Sequence, residues 1–327
     1  MTATMVGMDW GMAALGINGT PRKQGESVVR AEGLSKRYGE HAAVSNVSFE
    51  VQRGDIFGFL GPNGSGKSTT IGMMLGLVQP SSGTIDLFGL GPERRAEGLA
   101  RTGAIIESPA FYPYLSGRDN LKALAHLRPG VTDARIDEVL ATVGLRDAAR
   151  KRYSNYSLGM KQRLGIGWTL LHDPELLVLD EPTNGLDPAG MQEVRHLILR
   201  LAEEGKTIFI SSHLLNEIEQ VCDQVAIIQH GKIIASGPVS ELVGASTRLL
   251  IRTDAPERAL HIVRGIGGVE RAELQGDHLT VVAPELRPAS INAALVEGGI
   301  AVDELRMTRN TLEAAFLELT TDSAAQE

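Results

Sequence analysis

The chain has 327 residues, of which 43% are hydrophobic and 22% charged, and its 40 acidic and 32 basic side chains leave a formal charge of −8. This length favours about two domains, and this composition excludes a wholly disordered or fibrous chain. The acidic balance argues against nucleic-acid binding through phosphate neutralisation, and no apolar run approaches the ~18 residues of a membrane-spanning helix. One cysteine, Cys222, excludes an intrachain disulfide, indicates a reducing compartment and is expected to be a small buried side chain.

Hydrophobic periodicity predicts alternating strands and helices over most of the chain. Residues 1–27 lack the basic start and unbroken apolar core of a secretory signal, and we interpret them as a loose N-terminal tail. The strands are predicted at about 44–51, 56–60, 83–88, 103–106, 176–179, 207–210 and 224–229. The helices are predicted at about 67–77, 188–203 and 213–222, with a wholly helical lobe at about 108–172. Such alternation predicts an α/β domain with a largely parallel sheet over residues 28–243.

The composition changes near Gly244. Residues 245–327 contain eight arginines, no lysine and thirteen acidic residues, which is −5 of the total −8. Strands are predicted at 248–253, 269–274, 279–283 and 300–306, and helices at 256–264, 288–297 and 310–319. The order βαββαβ with a final helix is the ferredoxin-like pattern, so we expect a small α+β accessory domain here.

A glycine-rich loop between a predicted strand and a predicted helix matches G-x-x-x-x-G-K-S/T. Its residues are Gly61, Pro62, Asn63, Gly64, Ser65, Gly66, Lys67 and Ser68, followed by Thr69. Glycines let the backbone curl until several N–H groups point at a β-phosphate, next to the partial positive charge of a helix N-terminus. Lys67 is expected to reach the β- and γ-phosphates, Ser68 to ligate Mg²⁺, and Thr69 to bond the α-phosphate.

A carboxylate at a strand end is expected to complete such a site by holding Mg²⁺. The apolar run of residues 176–179 leads directly into Asp180 and Glu181. Asp180 is therefore the predicted metal-site carboxylate, and Glu181 is the candidate general base for the attacking water.

Further motifs follow the phosphate loop in order. The run Tyr156-Ser157-Leu158-Gly159-Met160-Lys161-Gln162-Arg163 looks like an LSGGQ signature that keeps Ser157 and the second glycine, Gly159. Gly185-Leu186-Asp187 looks like a D-loop, His213 follows Ser211-Ser212, and Tyr38 lies in Lys36-Arg37-Tyr38-Gly39. With these motifs the chain resembles the nucleotide-binding subunits of ABC transporters over about residues 28–243.

The resemblance implies roles for these residues. Tyr38 would stack on adenine, and His213 would sense the γ-phosphate. Ser157 and Gly159 would complete the γ-phosphate site of a second chain. The family usually has glutamine where this chain has Glu107, whose carboxylate keeps the ability to meet Mg²⁺ or its water.

The resemblance also implies partners and a location. Two cassettes, as a homodimer or a heterodimer with a related chain, would enclose two ATP molecules and drive a separate transmembrane permease. The chain would be cytoplasmic and peripheral on the inner face of the cell membrane, with Phe111, Tyr112 and Tyr114 as candidates for docking. Residues 107–121 and 311–319 resemble the branch that exports drugs and peptide antibiotics, including bacitracin- and lantibiotic-immunity ATPases.

Other functions remain open at this point. A soluble ABC-type ATPase acting on a non-membrane partner such as the ribosome is the main alternative, although such proteins resemble two joined cassettes with basic segments. A DNA-repair ATPase would interrupt the cassette with a long coiled coil, and the stretch between Thr69 and Leu176 shows no sustained heptads. In a third, non-enzymatic alternative, the cassette would be only a nucleotide-gated clamp and residues 245–327 would be a binding module.

Overall fold

The computed structural model describes residues 25–107, 109–127, 130–243, 247–276, 278–283, 288–309, 311–313 and 316. They form two compact units that divide between Ser236 and Gly237. Residues 1–24 of the predicted tail lie outside the described residues. The predicted domain boundary at 243–245 falls a few residues after this division.

Among its described residues, the first unit contains an antiparallel sheet of three strands, a larger sheet of six strands, and seven α-helices. In chain order they are β1 (Ser27–Tyr38), β2 (His41–Gln52), β3 (Ile56–Leu60), α1 (Lys67–Met74), β4 (Ser82–Leu87), α2 (Arg95–Ala100), β5 (Thr102–Ile105), α3 (Gly117–Ala125), α4 (Asp133–Thr142), α5 (Leu158–Leu170), β6 (Leu176–Asp180), α6 (Pro188–Glu203), β7 (Thr207–Ser212), α7 (Leu215–Val221), β8 (Gln224–Gln229) and β9 (Lys232–Pro238).

The larger sheet has the strand order β5-β6-β7-β3-β8-β9. The pairs from β5 to β8 are parallel, as predicted. Every residue of β3, β6 and β7 is buried, because parallel strands covered on both faces become continuous apolar runs. Register pairs Leu60 with Ser212 and Asp180 with Ser211. The carboxyl ends of these three strands therefore meet at one edge of the sheet, which is where ligands bind in folds of this kind.

Two strands of a smaller antiparallel sheet, β2 and β4, were predicted at 44–51 and 83–88, but β1 and the separate sheet of order β2-β1-β4 were not. The alternation in β1 is broken at Gly33, where φ is +59°, and register shifts occur on both sides of Leu34. A period-two pattern is not visible in such a strand. Phe49 of β2 packs its ring 5.7 Å from Phe57 and 5.9 Å from Phe209, so this sheet closes the core over the larger one.

The helical lobe consists of α3, α4 and α5. Each of these helices begins at a hydroxyl residue that accepts a bond from the third residue beyond it, namely Ser116, Thr132 and Ser157. This N-cap satisfies one of the free donors of the first turn. In contrast, α1 stops at Met74, before the predicted end near residue 77, because the chain turns at Gly76 with φ +77°.

The second unit contains the predicted βαββαβ order. Its elements are α8 (Val239–Val243), β10 (Thr247–Thr253), α9 (Pro256–Arg264), β11 (Arg271–Gln275), β12 (His278–Val282), α10 (Pro288–Glu297) and β13 (Val302–Arg309). The antiparallel sheet has the order β11-β12-β10-β13. Leu249, Ile251 and Val281 lie in the core of this unit. Most of the predicted final helix lies outside the described residues.

Candidate nucleotide-binding and hydrolysis site

The glycines of the phosphate loop are needed for close backbone approach and for left-handed backbone. A Cβ at Gly61 would lie 2.2 Å from the Ile228 carbonyl oxygen, and one at Gly66 would lie 2.6 Å from that of Ala43. Gly66 also has φ +107° and forms the N-cap of α1, while Gly64 has φ +78°. The loop therefore wraps tightly between β3 and α1, and its curl places Lys67 at the first position of the helix.

Lys67 has a buried side chain that points back into this loop. Its Nζ donates to the carbonyl oxygens of Gly61, at 2.7 Å, and of Pro62, at 3.2 Å. The ammonium group also lies 3.3 Å from Oε1 of Glu181. A desolvated ammonium needs such partners, and here they fix its position between the loop and the end of β6.

Asp180 ends β6 as a buried carboxylate. Its Oδ1 accepts a hydrogen bond from the hydroxyl of Ser211, which lies opposite it on β7. The same Ser211 hydroxyl accepts a bond from the Glu181 backbone N–H at 3.1 Å. Ser211 therefore orients both carboxylate residues, although sequence analysis gave it no role beyond preceding the histidine.

Glu181 and His213 are brought into direct contact. The Oε2 of Glu181 lies 2.7 Å from Nδ1 of His213, and the Glu181 backbone has a positive φ of +49°. A non-glycine residue in this region is uncommon and persists only where its surroundings hold it. The Glu181 carboxylate thus lies between the ammonium of Lys67 and the ring of His213.

Glu107 and Tyr38 are both exposed. Glu107 has φ +61° and follows β5, whose register with β6 places it at the same sheet edge as Asp180. Tyr38 ends β1, with half of its surface exposed and Nζ of Lys36 5.0 Å from the ring centroid. Such a ring presents an open face for stacking.

The signature and D-loop residues lie side by side on the surface. Ser157 is exposed at the start of α5, where its hydroxyl accepts from the Met160 N–H at 3.2 Å. A Cβ at Gly159 would lie 3.5 Å from Cα of Gly190, so the first turn of α5 contacts the first turn of α6. Asp187 is the N-cap of α6. Two helix N-termini, which attract anions, begin at this surface.

The residues present fit a magnesium nucleotide. The buried hydroxyl of Ser65 has no hydrogen-bond partner among the described residues, and lies inside the loop that would cradle a phosphate. Ser68 is exposed at the start of α1 and Asp180 supplies a carboxylate, which are hard oxygen donors of the kind Mg²⁺ prefers. Within the described ranges there is no group of three or more His, Cys, Asp or Glu side chains able to hold a metal by themselves. Mg²⁺ is usually bound through one or two carboxylates together with phosphates and water, and the Asp180 carboxylate and the Ser68 hydroxyl suit that mode of binding.

The sequence did not indicate which side chains connect the helices that follow the motif residues. Arg195 of α6 forms a 2.7 Å ion pair with Glu217 of α7. The helix α6 follows the D-loop, and α7 follows His213. Neither residue belongs to a motif that we had recognised. A carboxylate four residues after the histidine and an arginine eight residues after Asp187 are visible only as ordinary helix residues in the sequence.

The parallel sheet, the phosphate loop and the carboxylates at the end of β6 together define a P-loop nucleotide-binding protein. A family model described as ABC transporter matches residues 44–184. The chain is 40% identical over 298 residues to the uncharacterized ABC transporter ATP-binding protein YdbJ of Bacillus subtilis (strain 168), covering 90% of this chain and 96% of that one. It is 42% identical to the bacitracin transport ATP-binding protein BcrA of Bacillus licheniformis, covering 90% and 97%.

A solved ATP-binding subunit of an ABC transporter matches the structure with a TM-score of 0.58 and 28% identity, over 66% of this chain and 91% of that one. The chain belongs to the ATP-binding subunits of ABC transporters. It is an ATP-binding ATPase of that family, and the family's members dimerise and work with membrane permeases. In the part of the chain that the structure describes, the helices are too short or too polar to span a bilayer.

Proposed function

We propose that this chain hydrolyses ATP, as its Mg²⁺ complex, to power a separate permease that exports a peptide antibiotic or a drug. The contact of Glu181 with both Lys67 and His213 is the observation that carries the hydrolytic assignment. The name of the bacitracin transport relative supports the substrate class, since that relative matches nearly the whole chain. It also favours a transporter over the ribosomal alternative. We place the chain in the cytoplasm, on the inner face of the cell membrane.

Hydrolysis requires positioning and charge stabilisation more than covalent chemistry. The phosphate loop, residues 61–69 with Lys67 among them, would bind the phosphates. Tyr38 would stack on the adenine. Ser68 and Asp180, with Glu107 at the same edge, would hold Mg²⁺, which supplies neutralisation of the charge that develops on the phosphate oxygens. Glu181 would orient the attacking water and accept its proton, and His213 would hold the Glu181 carboxylate.

The site is proposed to be completed by a second chain. Ser157 is exposed at the N-terminus of α5 and Gly159 lies buried in its first turn, and a helix N-terminus stabilises a phosphate only when one is brought to it. Two cassettes arranged head to tail would bring the Ser157 surface of each to the phosphate loop of the other. The partner is a second copy of this chain or a related cassette.

The permease is proposed to dock on the first unit. Tyr112 and Tyr114, which are both exposed with ring centroids 5.8 Å apart, remain docking candidates. Phe111 instead packs edge-on against Tyr153 at 5.3 Å, which accounts for it within the lobe.

Replacement of Glu181 by glutamine tests the hydrolytic assignment. The variant keeps the shape of the side chain but cannot accept the proton, so we expect turnover to fall by about 10²-fold or more. Nucleotide affinity should remain, because the phosphate loop is untouched. Phosphate release and nucleotide-dependent thermal stabilisation of the purified chain provide the two readouts. Near-normal turnover by the variant would contradict the assignment.

A further inference from the structure

A largely buried ion pair joins α6 to α7. Nη2 of Arg195 lies 2.7 Å from Oε1 of Glu217, and the two side chains are only 18% and 9% exposed. Among the ion pairs of the described residues, only this one and those made by Glu181 have both side chains less than one third exposed. The pair is therefore protected from solvent screening, unlike the surface pairs elsewhere.

The pair lies next to the reacting groups along both elements. Glu217 is four residues after His213 and belongs to the first turn of α7. Arg195 lies about two turns into α6, which begins at the Asp187 N-cap. A small cavity beside the pair is also lined by Pro182 and Ser212, which are the immediate chain neighbours of Glu181 and His213.

The anchoring of α7 depends on such contacts. This helix has seven residues, and its N-cap position is occupied by Leu214, which makes no side-chain cap bond. A helix this short has little stability of its own. Glu217, Ile218 and Val221 are the residues of this helix that are buried.

A buried ion pair is a poor way to gain stability alone. Desolvating both charges offsets much of their attraction, and an apolar pair of similar volume is often equally or more stable. The pair is also not fully satisfied, since the buried Nε of Arg195 has no hydrogen-bond partner among the described residues. What the pair does provide is a fixed direction and distance between two helices.

We propose that Arg195 and Glu217 are positioning residues for hydrolysis. The pair fixes α7 against α6, and this holds His213 where its ring contacts the Glu181 carboxylate while keeping the D-loop in register with it. The proposal rests on the roles given above to Glu181 and His213. A displacement of a reacting group by about 1 Å is enough to reduce turnover by about 10²-fold.

The test compares single and double variants of the full-length chain. Glu217→Gln should lower kcat by about 10-fold or more while leaving the KM for ATP within about twofold, because an interaction that matters only for the reaction is lost. The double variant Arg195→Met with Glu217→Leu replaces the pair by apolar side chains. We expect it to regain the thermal stability of the wild type but not its kcat. Glu175→Gln, which breaks another ion pair of the first unit at the opposite ends of the strands, should lose stability without a matching loss of kcat.

Two outcomes would overturn the proposal. One is normal kcat in a folded Glu217→Gln variant, and the other is recovery of kcat along with stability in the double variant, which would show a merely structural role. If Glu217→Gln fails to fold, the double variant carries the test. Measuring Glu181→Gln in parallel tests the proposed function separately from the positioning role of the ion pair. Turnover that survives in Glu181→Gln contradicts the proposed function, whereas turnover lost there and kept in both pair variants contradicts only the positioning role.

Discussion

At the scale of single residues, two glycines of the phosphate loop make different demands on the backbone. Gly64 has φ +78° and open space where a Cβ would lie, whereas Gly66 has φ +107° and would bring a Cβ to 2.6 Å from the Ala43 oxygen. Alanine at Gly64 should lower the free energy of unfolding by about 1–2 kcal/mol through strain alone. Alanine at Gly66 adds a clash with backbone and should lower it by about 3 kcal/mol or more. Urea unfolding without nucleotide measures both, and equal losses would contradict this reading of the loop.

The residues of the phosphate loop could be predicted from sequence because their chemistry fixes their spacing. Asp180 and Glu181 were found at the end of a predicted buried strand, and His213 was found through the resemblance to ABC transporter subunits. The structure brings Lys67, Asp180, Glu181 and His213 to one sheet edge. The residues that orient them come from other elements. Ser211 can bond to Asp180 and Glu181 only because β6 and β7 are neighbours in the sheet and pair in this register. No local sequence pattern specifies that pairing.

At the scale of elements, helices were more predictable than the smaller sheet. The helix at 188–203 was predicted with the bounds it has, because its apolar period is regular and Asp187 followed by Pro188 is a strong start. In the smaller sheet β2 and β4 were predicted as strands, but β1 was missed because it bends at Gly33 and its register with β2 shifts on both sides of Leu34. That strand lacks a sustained alternation, so its pairing with β2 and β4 is visible only in the structure.

An ion-pair cluster should tie together the amino ends of several strands. Glu175, just before β6, accepts bonds from Arg101 and from Arg53, the latter at 2.7 Å. These hydrogen bonds lower the pKa of Glu175 from 4.5 to about 2, and the bond from Arg101 has the largest effect. A depressed pKa means stability that is present above about pH 4.5 and is lost as the pH falls towards 2.

Glu175→Gln therefore tests this cluster by its pH dependence. The variant should be less stable than the wild type at pH 7, and the difference should shrink as the pH falls from about 4.5 towards 2. Because Glu175 is more than a third exposed, screening by solvent keeps the effect modest. Glu97→Gln removes an exposed pair with Arg94 and is the matched control, expected to change stability little. A pH-independent difference between Glu175→Gln and wild type would contradict the assignment.

At the scale of the whole molecule, the second unit has a core of its own. Leu249, Ile251, Leu279 and Val281 are all buried within it. The phosphate-loop, carboxylate, signature and switch residues all precede it in the chain. We therefore expect it to act in regulation or assembly and not to build the ATP site.

Truncation after Val243 tests that separation. The shortened chain should fold and should be stabilised by Mg-ATP in thermal unfolding, because a ligand that binds only the folded state raises its stability. Coupling to the permease or dimerisation should change. A soluble, folded truncated chain without nucleotide-dependent stabilisation would mean that the second unit contributes to the site.

The central claim is that each hydrolysis site is shared by two cassettes. Lys67→Ala damages the phosphate loop and Ser157→Arg damages the signature, so each variant alone should be nearly inactive. In a mixed dimer both changes fall in the same site and the other site is intact. Random mixing should restore about a quarter of wild-type turnover if one intact site suffices. Steady-state phosphate release by an equimolar mixture is the direct measurement. No recovery, although mixed dimers are shown to form, or full activity from a monomer would contradict the account.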